Sequence, residues 1–285
     1  MNLLSGLEKF GLEISEDMDI FEEDKPKTSA STEAAGEKPD IPTEDMFLLE
    51  KGIRCPVCDK VFKTKMIKNG RVKRLESDKD LRPRHQYIDT LKYDICSCPH
   101  CGYTAMTRFF PHITNVQSKL IKENICSKFH AQIEPEPAVY DYDRALERYK
   151  LSLFNTIVKK GKTSEKAYTC LKIAWLYRGK AETMDAATEE GKAAIAECKK
   201  EEEAFYKQAY GMLKAVSTEM FPICGMDQGT VDYLLATMSI HYKKYDVASK
   251  LLAGILASNT AGRQMKDKAL NLKEEVVAEL KKGRG

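Results

Sequence analysis

The chain has 285 residues, of which 42% are hydrophobic and 31% are charged, and its mean hydropathy is −0.46. These values are typical of a soluble globular protein with some unstructured sequence. No stretch has the uninterrupted apolar length of a membrane helix, and the N-terminus lacks the basic start and small-residue cleavage site of a secretion signal. We therefore expect no helical membrane span and a cytoplasmic location.

The net charge of +3 is the sum of two opposite parts. Residues 1–50 contain 14 acidic and four basic side chains, a net charge of −10, whereas the rest of the chain has 42 basic and 29 acidic residues, a net charge of +13. The first part opens with apolar residues at helical spacing, Leu3, Leu7, Phe10 and Ile14. The acidic sequence after them buries too little apolar surface to offset the cost of ordering. We predict that residues 1–46 form an acidic, largely disordered leader.

Residues 47–110 consist of short segments separated by Cys, Pro and Gly. Their pattern predicts short strands over 61–66, 72–75 and 93–98, with Asn69-Gly70 as a hairpin turn between the first two. Strands this short form only a small core, so we expect a bound metal ion to stabilise the unit.

Four of the nine cysteines form two Cys-Pro-x-Cys knuckles, Cys55 with Cys58 and Cys98 with Cys101. The two intervening residues let the chain turn so that both sulfurs face one ion, which predicts a four-cysteine site for tetrahedral zinc. Gly102, after the second pair, readily takes the left-handed conformation that such a turn can require, and Asp59, after the first, tolerates it better than most residues. Iron suits the same ligand set. Four thiolates leave no open position for substrate, so the site is expected to be structural. Cys96 is either an alternative ligand or a buried thiol, and the second interpretation is the more ordinary one.

From residue 111 onward the apolar spacing is helical. It predicts helices over 116–129, 142–157, 163–180, 186–216, 230–242, 246–258 and 265–280. Within the pair at 231–259, five residues have the spacing of a tetratricopeptide repeat: Leu235, Ala236, Ala248, Leu252 and Ile255. Ordinary antiparallel bundles share that spacing. The predicted fold class is α+β, mainly α, with a zinc-ribbon-like β unit at 47–110 and a tetratricopeptide-like antiparallel array at 111–285.

Two further segments suggest other chemistry. Residues 59–75 carry seven basic side chains against one acidic, and a nucleic-acid surface there would use Lys63, Lys65, Arg71 and Arg74. Alternating lysines are also typical of a solvated edge hairpin.

Residues 77–85 alternate acidic and basic groups, and an enzyme could use Asp78, Asp80 or His85 as acid or base. Nothing nearby supplies a nucleophile, and those carboxylates suit a loop-capping role equally well.

Three motifs together resemble a known family: Cys55-Pro-Val-Cys58, Ser77-Asp-Lys-Asp-Leu-Arg-Pro-Arg84, and Tyr93-Asp-Ile running into Cys98-Pro-His-Cys-Gly-Tyr103. They resemble the bacterial domain-of-unknown-function family 2225, over about residues 47–280. The resemblance implies a bacterial cytosolic protein in which a metal-stabilised unit precedes tetratricopeptide-like helices, and it supplies no reaction.

The sequence therefore favours a non-enzymatic zinc-binding adaptor whose helical array contacts protein partners. A nucleic-acid-binding module and an enzyme that uses the 77–85 loop are the two alternatives.

Overall fold

A computed structural model describes residues 42–131, 136–218 and 220–282, and the chain from Pro42 onward forms one compact unit. The described residues are mainly helical, with two small antiparallel sheets near the cysteines, which confirms the predicted combination of helix and sheet. Most of the predicted leader, residues 1–41, lies outside the described residues. No helix in the described ranges has the length and apolar character needed to cross a membrane.

The four strands form two hairpins, and each hairpin has one knuckle as its loop. Strand β1 (Leu48–Arg54) pairs with β2 (Val61–Ile67), and β3 (Ile95–Ser97) pairs with β4 (Thr104–Met106). The strands predicted at 61–66 and 93–98 are confirmed at their cores, although residues 90–93 form a 3-10 turn.

The predicted hairpin across Asn69-Gly70 is wrong. Gly70 does take a left-handed turn, with φ of 75°, but residues 72–75 contain no strand. The partner of β2 is β1, which precedes the first knuckle, and its register places Arg54 opposite Val61. β1 is hard to recognise because it has an interior glycine, Gly52, and no alternation of apolar and polar residues.

Seven α-helices follow. They are α1 (Asn115–Ile121), α2 (Tyr142–Val158), α3 (Thr163–Glu182), α4 (Glu189–Val216), α5 (Gln228–His241), α6 (Tyr245–Ala257) and α7 (Arg263–Lys282), counted over the described ranges. A π-helical turn, Lys122–Cys126, continues α1. All seven helices coincide with predicted ones, although the first was expected to run to residue 129.

Sequential helices are neighbours in space: α3 packs between α2 and α4, and α6 packs against both α5 and α7. The loop between α2 and α3 is four residues long, which favours an antiparallel arrangement. The five residues with repeat-like spacing are all buried, at 3% exposure or less: Leu235, Ala236, Ala248, Leu252 and Ile255.

The sheets pack directly on the helices. Ile95 and Met106 of the second hairpin join the largest apolar cluster, which α2 to α5 dominate. A second cluster surrounds the cysteines and includes Phe62, Phe110 and Ile121. The knuckles therefore lie between the strands and α1, with α2 behind them.

Candidate metal centre

The two knuckles have the same backbone hydrogen bonds. In the first, the Cys55 amide donates to the Lys60 carbonyl at 2.9 Å, and the Asp59 amide donates to the Cys55 carbonyl at 2.9 Å. In the second, the Cys98 amide donates to Tyr103 at 2.9 Å, and the Gly102 amide donates to Cys98 at 3.0 Å. Each pair of cysteines is thus held at the end of its hairpin by the same tight turn.

Each turn closes on a residue with positive φ, as the sequence predicted. Asp59 has φ of 64° and Gly102 has φ of 75°. Glycine adopts this conformation without steric cost, and aspartate tolerates it better than most residues.

The four knuckle sulfurs lie within 4.8 Å of one another. The sulfurs of Cys55 and Cys101 are 3.7 Å apart, and so are those of Cys58 and Cys98. A tetrahedral ion with metal–sulfur bonds of about 2.3 Å requires sulfur–sulfur edges of about 3.8 Å. The cluster could therefore hold one metal ion, because two of its edges already have the tetrahedral length and all of them are 4.8 Å or shorter.

Backbone amides surround the sulfurs as they do in a metal knuckle. The amides of Val57 and Cys58 donate to the Cys55 sulfur, and those of His100 and Cys101 donate to the Cys98 sulfur. Such donors stabilise thiolates over thiols. Three of the four cysteines are buried, and Cys58 is partly exposed, so any ion would be reached from the first knuckle.

The sulfurs also interact electrostatically. Hydrogen bonds from the Cys101 and Cys55 thiols lower the pKa of Cys98, which favours its thiolate form. Contacts with Cys55 and Cys98 raise the pKa of Cys101. Successive thiolates this close repel one another, and a divalent cation at the centre would remove that repulsion.

Helix α2 contacts the second knuckle through Asn155, which is fully buried. Its side-chain amide donates to the Gly102 carbonyl at 3.2 Å, and its oxygen accepts from the Thr104 amide at 3.2 Å. The Phe129 ring covers the other side of Gly102, because a Cβ there would lie only 2.5 Å from the ring. The second knuckle is therefore fixed by side chains that are distant in sequence.

Sequence analysis missed a fifth sulfur beside this cluster. Cys126, at the end of the π-helical turn, contacts the Cys101 side chain and packs partly buried against the cysteine core. Its position in a predicted helix gave no signal of this contact. Cys96 lies outside the four-sulfur cluster, and burial raises its pKa to about 12, as expected for a core thiol.

One of the four candidate nucleic-acid contacts is buried. Lys63, Arg71 and Arg74 are exposed, but Lys65 is only 8% exposed and pairs with Glu50 at 3.4 Å on the opposite strand. Lys65 is removed from the candidates for that reason. Lys63 also lies near Glu50, at 3.6 Å, which reduces the positive charge of the hairpin face.

The alternating charges of residues 77–85 pair with helix α3. Arg82 is 2% exposed and donates to both oxygens of Glu182, at 2.9 and 3.2 Å. Arg84 donates to Glu182 at 2.7 Å and to Asp78 at 2.6 Å. Burial raises the pKa of Glu182, but the hydrogen bonds from Arg84 and Arg82 outweigh it and lower the pKa below its ordinary value.

Asp80 is held just as firmly. It is 4% exposed, accepts from the indole of Trp175 at 2.9 Å and accepts two bonds from Arg178 at 3.0 and 2.8 Å. His85 contacts the Thr90 hydroxyl at 3.2 Å, and burial lowers the pKa of its ring. The acidic side chains of the loop thus attach it to α3.

The sequence model of one family, described as "Uncharacterized protein conserved in bacteria (DUF2225)", matches residues 48–276. The match includes both knuckles, the charged loop and most of the helical array. No curated protein and no solved structure matches the chain.

Proposed function

The chain belongs to the bacterial family DUF2225, and we propose that it is a non-enzymatic cytoplasmic adaptor in which one zinc ion stabilises the knuckle hairpins and the helices contact a protein partner. The observation that carries the metal part is the sulfur spacing, 3.7 Å for two pairs, which suits a tetrahedral thiolate site. The ligands would be Cys55, Cys58, Cys98 and Cys101. Zinc is preferred over iron because four thiolates from paired knuckles are its usual structural ligand set.

A closed ligand set supports a structural ion. Four protein sulfurs complete a tetrahedral shell, so substrate and water have no coordination position. The charged loop supports the same view, because Asp78 and Asp80 are engaged by arginines and by Trp175. These groups stabilise the contact between the charged loop and α3, whereas an acid or base needs a carboxylate that can reach a substrate.

An exposed apolar stripe on α7 supports protein binding. Leu270 is 48% exposed and Val277 is 42% exposed, and they lie seven residues apart on one face of the helix. They line a shallow groove of about 370 Å³ together with Ala278 and the charged residues Lys273 and Lys281. Apolar residues rimmed by charge at helical spacing are typical of a surface that binds another helix.

The metal claim is tested on protein purified anaerobically in buffers without added metal. We expect one zinc per chain by mass spectrometry of the metal content, and none in a variant with all four knuckle cysteines changed to Ser. A variant with Cys170 and Cys198 changed to Ser, two cysteines outside the cluster, should keep the ion. Absence of any metal in the natural chain would overturn the claim.

The partner claim is tested by affinity purification from the native cell with quantitative mass spectrometry. Leu270→Glu with Val277→Glu should lose a partner that the natural chain retains. The matched control, Lys273→Glu with Lys281→Glu, keeps the apolar stripe. Identical protein profiles for all three forms would reject α7 as the binding surface.

Nucleic-acid binding by the basic hairpin is the second candidate, supported by three exposed cations, Lys63, Arg71 and Arg74. It predicts binding to a random-sequence duplex that weakens with salt and is lost when these three residues become Glu. No binding at low ionic strength would dispose of it.

A further inference from the structure

A cleft of about 780 Å³ lies where the hairpins, the charged loop and the helical array meet. Strand β2, the 74–83 loop and the 3-10 turn at 90–93 form one side, and α3, α5 and α7 form the other. Its volume is within the range of small-molecule sites, and sites of this kind often lie between structural units.

The cleft has an apolar wall. Trp175 from α3 contributes to it, together with Leu81 and Leu91 from the loop side and Leu234 and Met265 from the helices. These residues are contributed by five different segments, so the wall exists only in the folded chain. It would accommodate the apolar body of a ligand.

The two carboxylates that line the cleft have different partners. Asp94 forms an ion pair with Lys172. Burial lowers the pKa of Lys172, but the interaction with Asp94 outweighs it and holds that pKa above its ordinary value, so the lysine is charged. Asp227 caps α5 by accepting the Thr230 amide at 2.8 Å, and hydrogen bonds with Thr230 lower its pKa, so it is an anion at the N-terminus of that helix.

Two cations of the lining have no ion pair with a carboxylate anywhere in the described ranges. Lys268 of α7 donates to the Ser77 hydroxyl at 3.3 Å, and Arg74 is exposed at the edge of the loop. The lining contains three cations, Arg74, Lys172 and Lys268, and two carboxylates, Asp94 and Asp227, a net charge of +1. The cleft therefore combines an apolar wall with a positively charged rim at Lys268 and Arg74.

The loop side of the cleft is rigid before any ligand arrives. Arg82 and Arg84 bind Glu182, and Arg178 binds Asp80, so the chain between residues 77 and 84 is fixed on α3. A preformed site needs little ordering on binding, which favours affinity.

We propose that this cleft binds a small organic anion with an apolar body, such as a medium-chain carboxylate. The apolar body would lie against the partly exposed Leu81 and Met265, with Trp175 beneath them, and the anionic group would lie near Lys268 and Arg74. This function is additional to the adaptor role and does not depend on the metal ion or on the α7 stripe.

The test uses the full chain and a pair of probes with one naphthylamine skeleton. One is 8-anilinonaphthalene-1-sulfonate, an anion, and the other is N-phenyl-1-naphthylamine, which lacks the sulfonate. Trp175 is the only tryptophan of the chain, so quenching of its emission reports a probe bound within energy-transfer range of this cleft, and the charge variants below locate the probe in it. We expect one site, at least tenfold tighter binding of the anion, and displacement of the anion by octanoate but not by 1-octanol.

Charge reversal supplies the matched variants. Arg74→Glu with Lys268→Glu should weaken binding of the anionic probe at least tenfold and leave the neutral probe unchanged, whereas Lys273→Glu on the same helix should change neither. The milder Lys268→Gln should weaken anion binding about threefold with an unchanged circular dichroism spectrum. Equal affinity for the two probes, unchanged anion binding in the charge variants, or binding without a response of Trp175 would each overturn the proposal.

Discussion

The two knuckles have the same turn in very different surroundings. Both close with a hydrogen bond back to their first cysteine and with one residue of positive φ. The first knuckle has one exposed side, where Cys58 is partly exposed and the turn residue Asp59 has an 80% exposed side chain that pairs with Arg54 at 3.1 Å. The second is enclosed, with Gly102 between the Phe129 ring and Asn155 of α2.

The comparison distinguishes the features that both knuckles share from those that contacts with the helices add to one of them. The turn and its sulfur-directed amides come from local sequence, because both knuckles have them. Attachment to the helices is a property of the second knuckle, through Asn155 and Phe129. We therefore expect equivalent changes in the two knuckles to have unequal effects, and the following experiments test that expectation.

The largest effect should come from removing a buried ligand. Cys101→Ser should lose most of the free energy of ion binding, which is on the order of 10 kcal/mol for structural zinc, because Cys101 is the buried equivalent of Cys58 and water cannot reach its position. Cys58→Ser should lose less, since Cys58 is partly exposed and water can reach the vacated position. Zinc affinity in competition with a chelator and helicity by circular dichroism measure both.

In both variants most of the helicity should remain, because the largest apolar cluster is built chiefly from α2 to α5. Equal zinc affinities of the two variants would contradict the inequality between the knuckles.

The contact between α2 and the second knuckle should give the next effect. Asn155→Ala should lower the free energy of unfolding by about 3 kcal/mol, because it leaves the Thr104 amide and the Gly102 carbonyl buried without this partner. Asn124→Ala is the matched control, since Asn124 is exposed and its side chain donates to the Leu120 carbonyl at 2.9 Å, one turn back in the same helical segment. Denaturant unfolding of the metal-loaded protein measures both, and similar losses for the two variants would show that Asn155 has no special role.

The same contrast explains which parts of the molecule could be predicted from sequence. The knuckle turns, the positive φ of Asp59 and Gly102, and the helices follow from spacing over a few residues, and the structure agrees with them. The contacts of Asn155 and Cys126 join residues far apart in the chain, and no local pattern predicts them.

The pairing of the first hairpin was wrong for a related physical reason. Asn69-Gly70 is a strong local turn signal, and the chain does turn there. A strand pairs with whichever neighbour can form hydrogen bonds along its edge. For β2 that neighbour is β1, because the knuckle with Cys55 and Cys58 is the short loop that joins the two strands. The acidic residues of the charged loop were likewise interpreted as acid or base groups. The loop pairs with Glu182 and Arg178, which are about 100 residues away in the chain, so no local sequence pattern indicates those contacts.

Alanine at the two turn positions should give a smaller, unequal effect. Gly102→Ala should cost about 2 kcal/mol, because positive φ disfavours any Cβ and the new atom would lie 2.5 Å from the Phe129 ring. Asp59→Ala should cost less than about 1 kcal/mol, because Asp59 already has a Cβ in an open position. Urea unfolding measures both costs.

A second substitution separates the two causes at Gly102. In a Phe129→Ala background the ring is gone, so the additional cost of Gly102→Ala should fall to about that of the backbone conformation alone, roughly 1 kcal/mol. An undiminished cost in that background would show that Phe129 does not restrict the turn.

The smallest effect should come from the Arg54 side chain on the first knuckle. Its ion pair with Asp59 is between side chains that are 66% and 80% exposed, so water and salt screen it. Arg54→Ala should change the free energy of unfolding by less than about 0.5 kcal/mol, and added salt should not alter that result. The measurement is denaturant unfolding at low and high ionic strength, with Lys60→Ala as an exposed control in the same turn. A loss above about 1 kcal/mol would mean that the first knuckle also depends on a side-chain contact, and the distinction between a turn held by its own backbone and one held by the helices would fail.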